Sequence, residues 1–173
     1  MKPSIIVTAV LTLTLGQIRA GGLLALPEGS MEELPSTGMV VFEPDDSKEK
    51  ATVSISKEDP ADGEGSLEIK APEGAYVSVS FPMSHTAAEG RLRFSLRGEV
   101  QPSDEFFVGV QSFTMDGGFK SVAFKPLVFP KQIGAGWRAF EFEVARDPAA
   151  THWQLTFAFK GPGRIAIDNL GGE

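Results

Sequence analysis

The sequence predicts an all-β chain folded as a β-sandwich jelly roll, and three observations lead there. Between Met39 and Leu170, short runs alternate apolar and polar residues with period two. Clusters rich in Gly, Pro and Asp separate these runs at the spacing of strands joined by turns. No segment longer than two turns carries a helical period.

The elements follow in order. "MVVFE" and "ATVSISK" open the series, and "EDPADGEG" reads as a loop. "SLEIKA", "AYVSVSF", "RLRFSLRG" and "FFVGVQSFT" come next, then "KSVAFKPLVF", "WRAFEFEV", "WQLTFAFK" and "RIAIDNL". "DGG" at 116–118 and "GPG" at 161–163 join alternating runs and are expected to be hairpin turns, since glycine supplies the backbone angles such turns need. Side chains in a strand point to opposite faces in turn, so the pattern also assigns faces. Inward are Val77, Val79 and Phe81; Leu92, Phe94 and Leu96; Val108 and Val110; Phe140, Phe142 and Val144; and Trp153, Leu155, Phe157 and Phe159. Outward are Tyr76, Ser78 and Ser80; Arg91, Arg93, Ser95 and Arg97; Phe107, Gln111 and Phe113; Trp137, Glu141 and Glu143; and His152, Gln154 and Thr156.

The N-terminal region is of another kind. Residues 1–20 combine Lys2, the apolar run "IIVTAVLTLTL" and a small residue, Ala20, after "QIR", the pattern of a cleavable secretory signal peptide. Gly16, Gln17 and Arg19 end the run short of the roughly 20 apolar residues a membrane span requires, so no span is expected after cleavage. A secreted or periplasmic location follows. Residues 21–38 read as a flexible lead-in with one helical turn at "SMEEL", and residues 39–173 as a single β-sandwich domain.

Charge and composition exclude several functions. The chain carries 16 Lys and Arg against 23 Asp and Glu, a net charge of −7, and loss of Lys2 and Arg19 with the signal would leave −9. Such an acidic chain is a poor match for a nucleic-acid backbone. With no cysteine there are no disulfides, no thiolate nucleophile and no Cys-ligated metal. Hydrolysis calls for two facing carboxylates or a nucleophile with its base, and neither arrangement is evident in the spacing. His85 and His152 stand apart, without metal-ligating neighbours.

The outward list holds the means of binding a sugar, namely flat rings to stack on pyranose faces and planar polar groups to meet hydroxyls. Tyr76, Phe113 and Trp137 supply rings; Arg93, Gln111, Glu141 and Gln154 supply polar partners. Trp137 opens a strand after "GAG". Arg91, Arg93 and Arg97 form a basic stripe that Glu141 and Glu143 could neutralise; left unpaired, it would suit an anionic glycan. Within "RIAIDNL" a carboxylate, Asp168, interrupts an otherwise core-facing strand. A part-buried carboxylate needs an opposite charge, several hydrogen bonds or a metal ion.

From about Val41 to Leu170 the chain resembles the galactose-binding-like β-jelly-roll domains, in particular carbohydrate-binding modules of secreted glycanases. The likeness rests on "VFEP", on "DGEGSLEIKA", and on the closing succession "GWRAFEFEV", "THWQLTFAFKGPG" and "RIAIDNL". It implies a non-catalytic protein that binds a polysaccharide or other glycan on a sheet face, with Tyr76, Arg93, Gln111 and Phe113 as ligand residues. It also implies a structural Ca²⁺ held by Glu43 and Asp168 with carbonyls of "KEDPADGEGS"; Asn169 departs from the acidic residue of the family pattern. Two alternatives stand beside this reading. One is a protein-interaction module without sugar affinity, with a cell-surface protein as partner. The other is a jelly-roll polysaccharide lyase using Tyr76, Arg93, Gln111 and His152, although the alginate-lyase signature strands are absent from a chain with one Tyr.

Overall fold

Alternating side chains produce two half-buried sheets that can exclude water only by stacking on each other. The computed structural model describes residues 31–34, 39–44, 49–83, 89–103 and 105–172. The predicted signal peptide and His85 lie outside them. In chain order the strands are β1 (Val40–Phe42), β2 (Thr52–Ser56), β3 (Ser66–Ala71), β4 (Tyr76–Pro82) and β5 (Glu89–Val100). They continue with β6 (Phe107–Thr114), β7 (Lys120–Val128), β8 (Arg138–Ala145), β9 (His152–Lys160) and β10 (Gly163–Gly172). Each predicted run is a strand, and a single 3-10 turn at Pro130–Gln132 was not expected.

The strands form two antiparallel five-stranded sheets, ordered β1-β4-β9-β6-β7 and β2-β3-β10-β5-β8. Their inner faces close on a core in which Val77, Val79, Phe81, Leu155 and Phe157 meet Leu67, Ile69, Leu92, Ile165 and Ile167, all inaccessible to solvent. Phe157 of the first sheet meets Phe94 of the second edge-on, with ring centroids 5.3 Å apart, and Phe81 packs against Phe157 in the same manner at 5.9 Å. Edge-to-face contacts of this kind contribute about 0.5–1.5 kcal/mol beyond burial. The predicted inward set is buried except Phe140 and Phe142, which are half-buried because β8 is an edge strand with a neighbour on one side only. The hairpin between β6 and β7 turns at Gly117 and Gly118, with φ of 74° and 123°. At the β9–β10 turn a Cβ on Gly161 would lie 2.1 Å from the Pro72 carbonyl, so only glycine fits there.

The lead-in differs from expectation where it is described. Residues 31–34 form no helical turn, and Met31 is buried in the core. The Glu32 carboxylate accepts the Glu64 N–H at 2.8 Å, and Gly65 lies so close that a Cβ there would sit 2.9 Å from the Met31 carbonyl oxygen. Burial of one methionine is worth about 1.5–3 kcal/mol, enough to hold a short segment against the sandwich.

Candidate functional site

The register of the first sheet assembles its outer face. Phe42, Ser78, Ala158 and Phe107 form one row across β1, β4, β9 and β6; Val40, Ser80, Thr156 and Gly109 form the next. The third row holds Pro82, Gln154 and Gln111, with Phe124 of β7 beside Gln111. The middle of this face is therefore built from small side chains. Ser80 and Thr156 hydrogen-bond through their hydroxyls at 3.0 Å and are almost fully covered, so these outward residues are buried beneath taller neighbours.

Rings stand on both sides of that floor. Phe42 and Tyr76 meet edge-on at 6.4 Å on the β1 side, and Phe107 and Phe124 do so at 5.6 Å on the β7 side. Phe42 and Phe124 are 45% and 57% exposed, a cost that isolated apolar surface does not repay. At one end His152 stacks on Phe113 with centroids 5.2 Å apart, and Phe119 leans on Phe113 at 5.1 Å. At the other end Lys160 pairs with Glu105 at 2.9 Å. Between the rings the Gln154 amide donates to the Gln111 carbonyl at 2.8 Å. That bond uses one donor and one acceptor of the pair; the Gln111 amide group and the Gln154 carbonyl keep hydrogen-bonding capacity of their own. Burial, reinforced by the Glu105 carboxylate, pushes the Tyr76 phenol above its ordinary 10.0, although a hydrogen bond with Ser78 works the other way.

Of the four predicted ligand residues, Tyr76, Gln111 and Phe113 lie on this face. Arg93 does not: it is on β5, in the opposite sheet, with Glu141 of β8 opposite it. Period two fixes which side of a strand a residue occupies, whereas strand pairing decides which sheet the strand joins. The basic stripe is drawn into the fold as well. Arg91 pairs with Glu141 at 3.1 Å, Arg97 with Asp59 at 2.6 Å, and Arg93 packs against Gly171. The lyase quartet is likewise not assembled. Arg93 belongs to the other sheet, and Tyr76 pairs with Lys160 at the far end of β9 from His152, roughly 26 Å away at about 3.3 Å per residue.

The structure does not bring together Glu43 and Asp168, the two residues implied as Ca²⁺ ligands. Glu43 accepts the Ala51 N–H at 2.6 Å. Thr52, the next residue, lies opposite Lys70, which lies opposite Arg164; Asp168 is four residues farther along β10, about 13 Å at roughly 3.3 Å per residue. Two oxygens each about 2.3–2.6 Å from one ion cannot be so far apart. Among the described residues no three His, Asp or Glu side chains gather at a point. The partner of Asp168 is instead the loop that was expected to supply carbonyls. Its Oδ2 accepts the Ala61 and Asp62 N–H groups at 2.8 and 3.0 Å, and its Oδ1 accepts its neighbour Asn169 N–H at 2.8 Å. These amide donors take up three of the roughly four lone-pair sites of the carboxylate. The same loop is fastened from above by Trp137, whose indole N–H donates to the Asp59 carbonyl at 2.7 Å, and by Arg97, whose guanidinium lies 4.8 Å over the Trp137 ring. Trp137 is thus an edge-packing residue and not a ring of the first-sheet face.

No protein-family model and no curated protein matches the sequence. Solved structures do match in shape. The CBM22-1 xylan-binding domain from Paenibacillus barcinonensis Xyn10C superposes with a TM-score of 0.56 at 12% identity, over 85% of this chain and 92% of that domain. The C-terminal family 22 carbohydrate binding module of Clostridium thermocellum Xyn10B does so with a TM-score of 0.55 at 13% identity, over 84% and 90%. The enzymatically active domain of bacteriophage CBA120 tailspike protein 4 gives a TM-score of 0.62 at 16% identity over 87% of this chain, but the chain spans only 21% of that protein chain. The fold is accordingly the β-sandwich jelly roll of carbohydrate-binding modules.

Proposed function

We propose that the protein binds a polysaccharide non-covalently on the outer face of the β1-β4-β9-β6-β7 sheet, as a secreted, non-catalytic carbohydrate-binding protein. The observation that carries this reading is the pairing of exposed rings, Phe42 and Phe124, on either side of a floor of small residues bordered by the Gln111–Gln154 amide pair. Rings offer flat apolar surface to the C–H side of a pyranose, and the amide pair offers one donor and one acceptor to adjacent hydroxyls. Tyr76, Gln111 and Phe113 keep the ligand roles expected of them, and Phe42, Phe107 and Phe124 join them; Arg93 plays no part. Lys160 on this face is already paired with Glu105, which favours a neutral polymer. The printed ligand of one fold neighbour, xylan, makes that polymer the first to try.

Affinity electrophoresis of residues 21–173 through gels containing xylan and other neutral polysaccharides tests the reading. Retardation is expected, with about tenfold weaker binding in Phe124→Ala and in Gln111→Ala, each a loss of about 1.4 kcal/mol. A folded protein that no polysaccharide retards would sink it in favour of a protein partner on the same face. A reducing-end assay on the same polymers bears on the enzymatic alternative: released ends in the wild type that vanish in Tyr76→Phe would overturn the non-catalytic assignment.

A further inference from the structure

The opposite sheet carries a separate opening. At the end of the second sheet where β2 begins, a cleft of about 960 Å³ is bounded on one side by Lys50, Thr52, Lys70 and Arg164 and on the other by the Ile133–Ala135 segment. That segment is held beside β5 by the Gly98 N–H, which donates to the Gly134 carbonyl at 2.9 Å. The volume falls within the range of small-molecule sites, and Ala71, Pro72, Val100 and Pro162 give the lining the apolar share such sites have.

The electrostatics of the cleft run against those of the chain. Lys70 and Arg164 lean on the same carboxylate, Glu68, at 2.7 and 3.8 Å. Glu68 is almost completely covered, while the two cations keep about half of their side-chain surface open. One buried charge cannot neutralise two cations, and Lys50, whose ammonium donates to the Pro44 carbonyl at 3.1 Å, adds a third on the same rim. Of the charged groups that line the cleft, three are cations and one, Glu99, is an anion, in a protein of net charge −7; Glu68 stands behind Lys70 and Arg164, and Glu43, which accepts the Ala51 N–H, stands beside Lys50. Glu68 also fixes the direction in which the guanidinium and ammonium groups point, which lowers the cost of ordering them around a ligand.

We propose that this cleft is a second ligand site, taking the carboxylate of a uronate-bearing saccharide. Arg164 offers the planar fork that a carboxylate matches, Lys50 and Lys70 add charge, and Thr52, Gln101 and Glu99 supply hydroxyl partners around a space larger than a lone carboxylate fills. The site does not depend on the first-sheet reading, because it lies on the other sheet and uses none of its rings.

The test is calorimetric titration of residues 21–173 with an oligogalacturonate and with its methyl ester, which keeps the sugar and removes the charge. Binding of the acid is expected to be at least tenfold tighter than that of the ester and to weaken about tenfold between 0.05 and 0.5 M salt. Gly134→Glu puts a bulky anion into the cleft at a position where a Cβ meets nothing within 4 Å, so the fold accommodates it. It should abolish binding, Lys50→Gln should weaken it several-fold, and Phe124→Ala should leave it unchanged. No binding of the acid by the folded wild type, equal binding of acid and ester, or binding that survives Gly134→Glu and is lost in Phe124→Ala would each overturn the proposal.

Discussion

The two outer faces of the sandwich solve the same problem differently. On the first sheet the exposed groups are rings and amides, with the Lys160–Glu105 ion pair at one end. On the second the exposed groups are charges, and β3, β5, β8 and β10 contribute to contacts in which Glu68, Asp59 and Glu141 hold cations. One face leaves apolar surface in water, and the other uses its polar groups to fasten loops. The difference teaches where to look for each kind of property: stability determinants outside the core gather on the second sheet and ring-based recognition on the first. Substitutions of the residues that fasten loops on the second sheet should therefore melt the protein, whereas substitutions of the first-sheet rings should spare the fold and release the polysaccharide.

Asp168 should give the largest effect and the sharpest version of that contrast. Its carboxylate is fully buried and accepts three backbone N–H groups. Asp168→Ala would orphan all three and free the loop that Trp137 and Arg97 clamp from the other side. A loss of about 3–5 kcal/mol is expected, read as a fall in the urea midpoint, whereas Phe124→Ala on the first sheet should move the midpoint little. Excess chelator should leave the wild-type melting temperature where it is. A chelator-induced drop of several degrees would instead return a cation to this end of the molecule.

How far the sequence led can be judged at the same residues. Period two in "AYVSVSF" and "WQLTFAFK" marked both the strands and their buried sides, because local alternation is all that information requires. Asp168 was conspicuous for a related reason, as a charge in a strand whose other face is core. Its partners were not legible: the Ala61 and Asp62 amides lie more than 100 residues away, and a backbone N–H has no signature in a sequence. Arg93 illustrates the other limit. Its outward direction was correct, but its sheet depended on β5 pairing with β10 and β8, a non-local choice. The exposed rings Phe42 and Phe124 could have been found, since both sit among alternating runs.

Trp137 permits a smaller test on the second sheet. Trp137→Phe keeps a ring beneath Arg97 but removes the hydrogen bond to the Asp59 carbonyl. About 1 kcal/mol should be lost, with glycan binding unchanged. A binding defect at wild-type stability would show that the two faces communicate, contrary to the division drawn between them.

Tyr76 offers the finest probe of the first face, because it is the only tyrosine in the chain and its phenolate can be followed without interference by absorbance near 295 nm. The phenol is neutral when protonated, so burial and the neighbouring Glu105 carboxylate both favour the protonated form and hold the folded-state pKa above 10.0. The unfolded chain then releases its proton first. Stability is unaffected well below pH 10 and declines as the pH rises from the unfolded value through the folded one. Tyr76→Phe should flatten that alkaline decline, and a bound neutral polysaccharide, by covering the ring further, should push the titration higher still. A titration midpoint at or below 10.0, or one unmoved by a polysaccharide that demonstrably binds, would place the ligand away from the β1–β4 side of the face and leave Phe107 and Phe124 as its rings.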